Sequence, residues 1–394
     1  MKRPLLHRSL VSLSIALLCA SSASAADQVK VGLLSTLSGP GAGLGTDIRD
    51  GFQLAVKHMN GKIGNLPAEV VVVDDQQNPE VAKQTAERLL KRDKVDFMTG
   101  TVFSNVMLAV GPAAFQNKTF FISPNAGPSQ YAGAQCNPYF FNVSQQNDAL
   151  HEAAGQTMQD KGFKRVALIA PNYPAGKDSI AGFKRFYKGE IGMETYTSLS
   201  QLDYGAEISK MRAAQVDGVY IFLPGGLGVN FIKQFVGAGL SKDITLYAPG
   251  FSADEDVIRA VGDSMLGTFN TSQWAHDLDN AANKKFVTDF QKEFGRMPSL
   301  YASHGYDAAH LMDAAVRDVK GKLDDKAALR KAIEAAKFES VRGSFKFNSN
   351  HFPVQDYYLR VVSKDSQDKL TNRTVGTVFK NHQDAYVRDC KMPS

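Results

Sequence analysis

The sequence predicts an α/β protein made of two similar lobes, each with a parallel central sheet flanked by helices. Two observations carry this. Short apolar strands alternate with amphipathic helices along nearly the whole chain, the pattern of parallel sheets covered on both faces. The alternation also runs twice, with a break near Asn147. At 394 residues the chain is long for one domain and comfortable for two.

The chain starts with an address. Lys2, Arg3 and Arg8 make a basic segment, Leu10 to Ala20 an apolar one, and Ala23-Ser24-Ala25 a small-x-small site. This is the pattern of a secretory signal peptide, expected to be cleaved after Ala25. The apolar run is too short to span a bilayer, and no later stretch approaches the ~20 apolar residues a span needs. Cys19 follows Leu18 rather than a small residue, so it is not read as a lipid anchor. Cleavage removes three basic residues and lowers the formal charge from +5 to +2. So balanced a surface excludes nucleic acid and anionic lipid as expected partners.

The elements follow in order. Val29 to Leu34 is a strand that opens into a glycine-rich turn, and a helix runs from Asp47 to Met59. Glu69 to Val73 is the next strand. Asn78 caps the following helix with Pro79 at its first position, and Val81, Thr85 and Leu89 keep its four-residue spacing. Strands at Val95–Gly100 and Thr119–Ser123 enclose a helix from Asn105 to Phe115. The second run has strands at Val166–Ala170, Gly218–Leu223 and Ile244–Ala248. Its helices are Asp178–Lys188, Val229–Gly237 and Asp254–Val261. Helices at Ala281–Phe294, Ser303–Val319 and Ala327–Ala336 belong to neither run and suggest a return to the first lobe. Phe345–Phe347 and Tyr357–Val362 are late β segments. A cleft lined by loops at strand C-terminal ends is the expected ligand site.

Two cysteines remain after export, Cys136 and Cys390. An even count in an exported protein reads as a disulfide. No catalytic or cofactor signature is complete. Gly39-Pro40-Gly41-Ala42-Gly43-Leu44-Gly45 fails G-x-G-x-x-G in every register, and Pro40 removes a backbone donor. His151-Glu152 begins H-E-x-x-H but ends on Gly155, and Gly262-Asp263-Ser264-Met265-Leu266 lacks the last glycine of a nucleophile elbow. No enzyme, cofactor or metal is expected.

An ordered series of motifs remains. Val31-Gly32-Leu33-Leu34 leads into Leu37-Ser38-Gly39-Pro40, and Gly51 to Val56 precedes Met59-Asn60. Val73-Asp74-Asp75-Gln76 precedes Asn78-Pro79. Asp96 to Gly100 leads to Ser104, then Ile122-Ser123-Pro124. With Phe251 to Gly267 in the second half, this series resembles the leucine/isoleucine/valine-binding family of periplasmic receptors. The resemblance implies the type I periplasmic binding fold: two Rossmann-like lobes joined by three crossovers, here near Asn142–Asn147, Thr271–Ala275 and Asn350–Pro353. It implies lobe 1 from 26–145 plus 276–351 and lobe 2 from 146–275 plus 352–394. It also implies a periplasmic monomer that passes a small molecule to an inner-membrane ABC permease. A ligand-sensing module on the same fold is the alternative of another class.

The resemblance places ligand contacts residue by residue. Ser104 falls at the family serine that grips a carboxylate. A hydroxyl at a helix N-terminus is also an anion site on physical grounds, and a plain N-cap is the competing reading. Asn125, Ala126 and Gly127 occupy the next ligand loop, with Gly127 where the family often has threonine, so that only its backbone N–H remains to donate. The family tyrosine aligns near Ala175, with Tyr173 two residues earlier, and Leu44 replaces an aromatic on the glycine loop. The family acid that pairs with a ligand ammonium aligns with Gly250. A buried ammonium without a partner costs several kcal/mol, so the ligand is expected to lack an amine. Phe103 and Trp274 are candidate walls for an aromatic ring, followed by Phe251 and Tyr204. The expected ligand is therefore an aromatic carboxylate, benzoate-like or hydroxycinnamate-like. A branched-chain or other amino acid stays open, with Asp254 or Asp203 supplying the charge.

Overall fold

The computed structural model describes residues 25–392, so the signal-peptide reading lies outside the described residues except for Ala25. Six strands make the first sheet: β1 (Val29–Ser35), β2 (Lys62–Ile63), β3 (Leu66–Asp74), β4 (Phe97–Thr99), β5 (Phe120–Ser123) and β6 (Phe140–Asn142). Their order is β2-β3-β1-β4-β5-β6, and every pairing is parallel except β2 with β3.

The second sheet holds β7 (Arg165–Pro171), β8 (Glu190–Thr197), β9 (Gly218–Ile221), β10 (Thr245–Pro249) and β11 (Phe269–Ser272). It also holds β12 (Lys346–Phe347), β13 (Pro353–Lys364) and β14 (Leu370–His382). The order is β12-β13-β11-β10-β9-β7-β8, with β14 on β13. Strands β7 to β11 pair in parallel, whereas β12, β13 and β14 join antiparallel. The predicted fold class is the observed one.

The central strands are buried on both faces, which is why they read as unbroken apolar runs. The helices Ala281–Phe294, Leu300–Asp318 and Lys326–Glu334 share a core with the first sheet, through Phe286, Leu311 and Leu329 packed among Val31, Phe52 and Phe97. Asn78 caps the helix Pro79–Arg88, accepting from the N–H groups of Glu80 and Val81. Cys136 and Cys390 form the expected disulfide.

Four sizeable elements escape the periodicity, one of them the helix Gly205–Ala213, which buries just Ile208 and Met211 and so shows no apolar stripe. Strands β8 and β14 carry mostly polar, part-exposed side chains, so they lack an apolar run to mark them. The helix Ala149–Asp160 is buried along nearly its whole first half, polar residues included, which hides its amphipathic stripe.

Candidate ligand-binding site

A narrow cavity lies between the two sheets. The first lobe lines it with Val102, Phe103, Ser104 and Asn125, and the connecting segment with Gln145 and Asn147. The second lobe contributes His151, Tyr173, Ala175, Phe222, Pro224 and Phe251, and Tyr301 closes it from the returning helix. Most of these residues sit just beyond a strand C-terminus or in the first turn of a helix. Among the sequence-predicted residues, Phe103, Ser104, Asn125, Tyr173 and Phe251 meet here.

Ser104 is the first residue of the helix Ser104–Gln116, with Phe103 in the cap position, so it is not an N-cap. Its Oγ accepts from Asn147 Nδ2 at 3.0 Å. A hydroxyl that accepts from an amide keeps its own hydrogen for another acceptor. The unpaired N–H groups of the helix's first turn add partial positive charge at the same place. Asn125 Nδ2 donates to the Val102 carbonyl at 2.7 Å, while its buried Oδ1 has no donor among the described residues.

Aromatic rings form a continuous wall. Phe103 meets Tyr173 edge-on at 6.1 Å, and Tyr173 stacks on Phe222 at 6.3 Å. Phe222 meets Phe251 edge-on at 5.9 Å, and Phe251 leans on Tyr301 at 5.7 Å. Burial raises the pKa of both tyrosines, so their phenols stay neutral donors. The glycine-rich turn serves this wall: a Cβ on Gly41 would lie 2.7 Å from the Phe103 ring. None of the lining residues is an acid, a lysine or an arginine.

Residues 28–367 match the family described as periplasmic binding protein. The chain belongs to the periplasmic binding protein family. It is 30% identical to Leu/Ile/Val-binding protein homolog 6 of Brucella melitensis, over 92% of this chain and 94% of that protein. An ABC-transporter solute-binding protein of R. palustris, solved with benzoate, is 33% identical with a TM-score of 0.87, covering 92% of this chain and 99% of that one. A second, from Rhodopseudomonas palustris BisB5 and solved with 3,4-dihydroxybenzoic acid, is 31% identical with a TM-score of 0.84, covering 91% and 99%. A periplasmic binding protein of an ABC importer captures a small molecule and delivers it to a membrane permease.

Several expected contacts of this periplasmic binding protein lie outside the cavity. Gly127 N–H donates to Asn147 Oδ1 at 3.1 Å, and a Cβ there would fall 2.1 Å from the Gln145 carbonyl. The Ala126 carbonyl accepts from Ser123 Oγ and Asn142 Nδ2. Leu44 packs against Gly225 across the lobe boundary. Trp274 is fully buried, donates to Asn283 Oδ1 at 2.8 Å and meets Phe286 edge-on. Tyr204 packs edge-on to Phe231 in the second lobe's core.

No acid replaces the one missing at Gly250. A Cβ on that residue would come 2.8 Å from Leu300 Cδ2 and 3.0 Å from Arg360 Nη2. A buried guanidinium therefore stands behind the position where an acid would have been. Asp254 accepts from Leu300 N–H at 2.5 Å and lies 3.5 Å from Arg360 Nη1, while burial pushes its carboxyl up to about 8. Asp203 is exposed and caps the Gly205 N–H.

The least expected cavity residue is His151, which in sequence reads only as a failed zinc motif. Its Nδ1 pairs with Tyr220 Oη, leaving Nε2 for a ligand. Full burial depresses its pKa to about 3, so the imidazole is neutral. Between that value and the ordinary one near 6.5, the unfolded chain holds a proton that the folded protein refuses. Acid therefore favours unfolding, and stability is lost as pH falls below about 6.5. His151→Gln should shallow that loss, read as the change in urea midpoint between about pH 7 and about pH 5. An equal change in both proteins would clear His151 of the effect.

Proposed function

We propose that this protein is the periplasmic substrate-binding component of an ABC importer and that its cleft holds an amine-free aromatic carboxylate. The observation that carries the reading is the uncharged cavity walled by Phe103, Tyr173, Phe222, Phe251 and Tyr301, with the Ser104 hydroxyl at one helix N-terminus. Ser104 and the neighbouring N–H groups bind the carboxylate, while the rings enclose the aromatic body. The open acceptor Asn125 Oδ1 favours a ring that bears a hydroxyl. The benzoate and 3,4-dihydroxybenzoic acid in the two solved relatives support the same class.

The absence of a lining acid argues against α-amino acids, whose ammonium would be buried without a counter-charge. An amino-acid ligand is the second reading, favoured by the Leu/Ile/Val-binding name of the Brucella relative. The proposal includes cleavage after Ala25, a monomer, no catalysis, and lobes of 26–145 plus 276–351 and 146–275 plus 352–394.

A thermal-shift panel of benzoate, 4-hydroxybenzoate, 3,4-dihydroxybenzoate, a hydroxycinnamate and leucine tests the ligand. Binding to the native state must raise the melting temperature. The aromatic acids should shift it, hydroxylated ones most, and leucine should not. A shift with leucine alone would replace the aromatic reading by the amino-acid one.

A further inference from the structure

We infer that Asp178 is a latch between the lobes that positions the Ser104 hydroxyl for the ligand, acting through Asn147. Asp178 does not line the cavity. It sits in the first turns of the second-lobe helix Pro174–Phe186 and is 8% exposed. Its Oδ1 accepts from Ser129 Oγ at 2.8 Å, and its Oδ2 accepts from Ser129 N–H at 3.1 Å. Ser129 belongs to the short helix Ser129–Ala132, which lies in the chain between β5 and β6 of the first sheet. These bonds join one lobe directly to the other.

The same Oδ2 also accepts from Asn147 Nδ2 at 2.9 Å. Asn147 Nδ2 gives its other hydrogen to Ser104 Oγ, and its Oδ1 accepts from Gly127 N–H. Every hydrogen-bonding group of this amide is therefore committed, so the amide cannot turn without breaking a bond. With the amide held, the Ser104 oxygen is occupied as an acceptor and its hydrogen is available to the cavity. When the lobes part, Asp178 leaves Ser129, and the amide loses the anchor that orients it.

Charge-assisted hydrogen bonds are stronger than neutral ones, so a carboxylate suits a latch of three donors. Asp178 would thus hold the closed form and set Ser104 in one step, giving closure a differential contact of the kind it requires. Asp178 is a positioning residue: it touches Ser129 and Asn147, and through Asn147 it acts on the ligand.

This inference rests on Ser104 gripping the ligand. A double-mutant cycle of Asp178→Asn and Ser104→Ala tests it, by calorimetry and stopped-flow with benzoate and separately with leucine. Asp178→Asn should weaken binding about tenfold, chiefly through faster dissociation. In its background Ser104→Ala should have little further effect, because the hydroxyl is no longer oriented. Ser129→Ala, which keeps the carboxylate and removes one donor, should move the same way by less. The far-ultraviolet circular dichroism of the unliganded variant should match wild type, which separates positioning from general damage. Strictly additive losses, or a wild-type dissociation rate in Asp178→Asn, would overturn the latch. If wild type binds neither probe, the ligand reading fails on its own. The latch is then decided by small-angle scattering, where unliganded Asp178→Asn must be more open than wild type and an equal radius of gyration rejects it.

Discussion

Arg342→Met is expected to lower the stability of the folded protein by about 3–5 kcal/mol, the cost of leaving one member of a buried ion pair alone. The Arg342 guanidinium is buried and meets Asp307 of the helix Leu300–Asp318 at 3.0 Å. Its Nη1 donates to the Ser144 carbonyl at 3.1 Å and to Gln355 Oε1 of β13 at 2.6 Å, and its Nη2 donates to the Val143 carbonyl. One side chain therefore ties a first-lobe helix to the segment leaving β6 and to the start of β13. Removing it orphans the Val143 carbonyl and strands the Asp307 carboxylate without its cation, while the Ser144 carbonyl keeps Gln355 Nε2 as a donor. Unsatisfied buried groups carry their full desolvation cost. Ser340 Oγ and Val341 N–H still reach Asp307 and soften the loss. Urea unfolding measures the effect. Pairing the change with Asp307→Leu should recover part of it, because the stranded charge is gone. An Arg342→Met midpoint equal to wild type would mean that the guanidinium is dispensable to the join.

The second large effect concerns the disulfide. Cys136 and Cys390 close a loop with a sequence separation of 254 residues. Constraint of so long an unfolded loop is worth about 5 kcal/mol in the chain-entropy treatment, and measured losses on removing native bridges are about 2–5 kcal/mol. The bridge also ends a strap that touches both lobes. His382 pairs with Glu152 of the second lobe, Asp384 accepts from Asn350, and Tyr386 Oη donates to Asp148 at 2.8 Å. Cys390 then reaches Cys136, beyond the first-lobe helix Ser129–Ala132. The double variant Cys136→Ser with Cys390→Ser should unfold at markedly lower urea, and reduced wild type should match it. A double variant as stable as the oxidised protein would show that the strap's hydrogen bonds suffice.

Much of the fold is legible in the residues themselves. The central strands, the capped helix after Asn78 and the returning helices after residue 280 are written in adjacent positions, because periodicity and capping act over one or two turns. The disulfide is legible from cysteine parity in an exported chain. Strands β8 and β14 are not, since a part-exposed strand gains its pairing from neighbours and needs little apolar sequence.

The site divides in the same way. Ser104 and Phe103 are visible because a helix start after a strand is a local pattern with known chemistry. The missing carboxylate at Gly250 is visible too. What occupies the space behind Gly250 is not: Arg360 arrives from β13. His151, Phe222 and Tyr301 likewise become cavity walls only when distant strand ends and helix starts converge. Trp274 shows the reverse, an aromatic of suitable type that packing spends on Asn283 and Phe286. By itself, then, the sequence determined a two-lobed exported α/β protein, its disulfide and a cleft without its expected acid. Only the tertiary structure decided which side chains face that cleft and which are spent on holding it, because facing is set by contacts between residues tens to hundreds of positions apart.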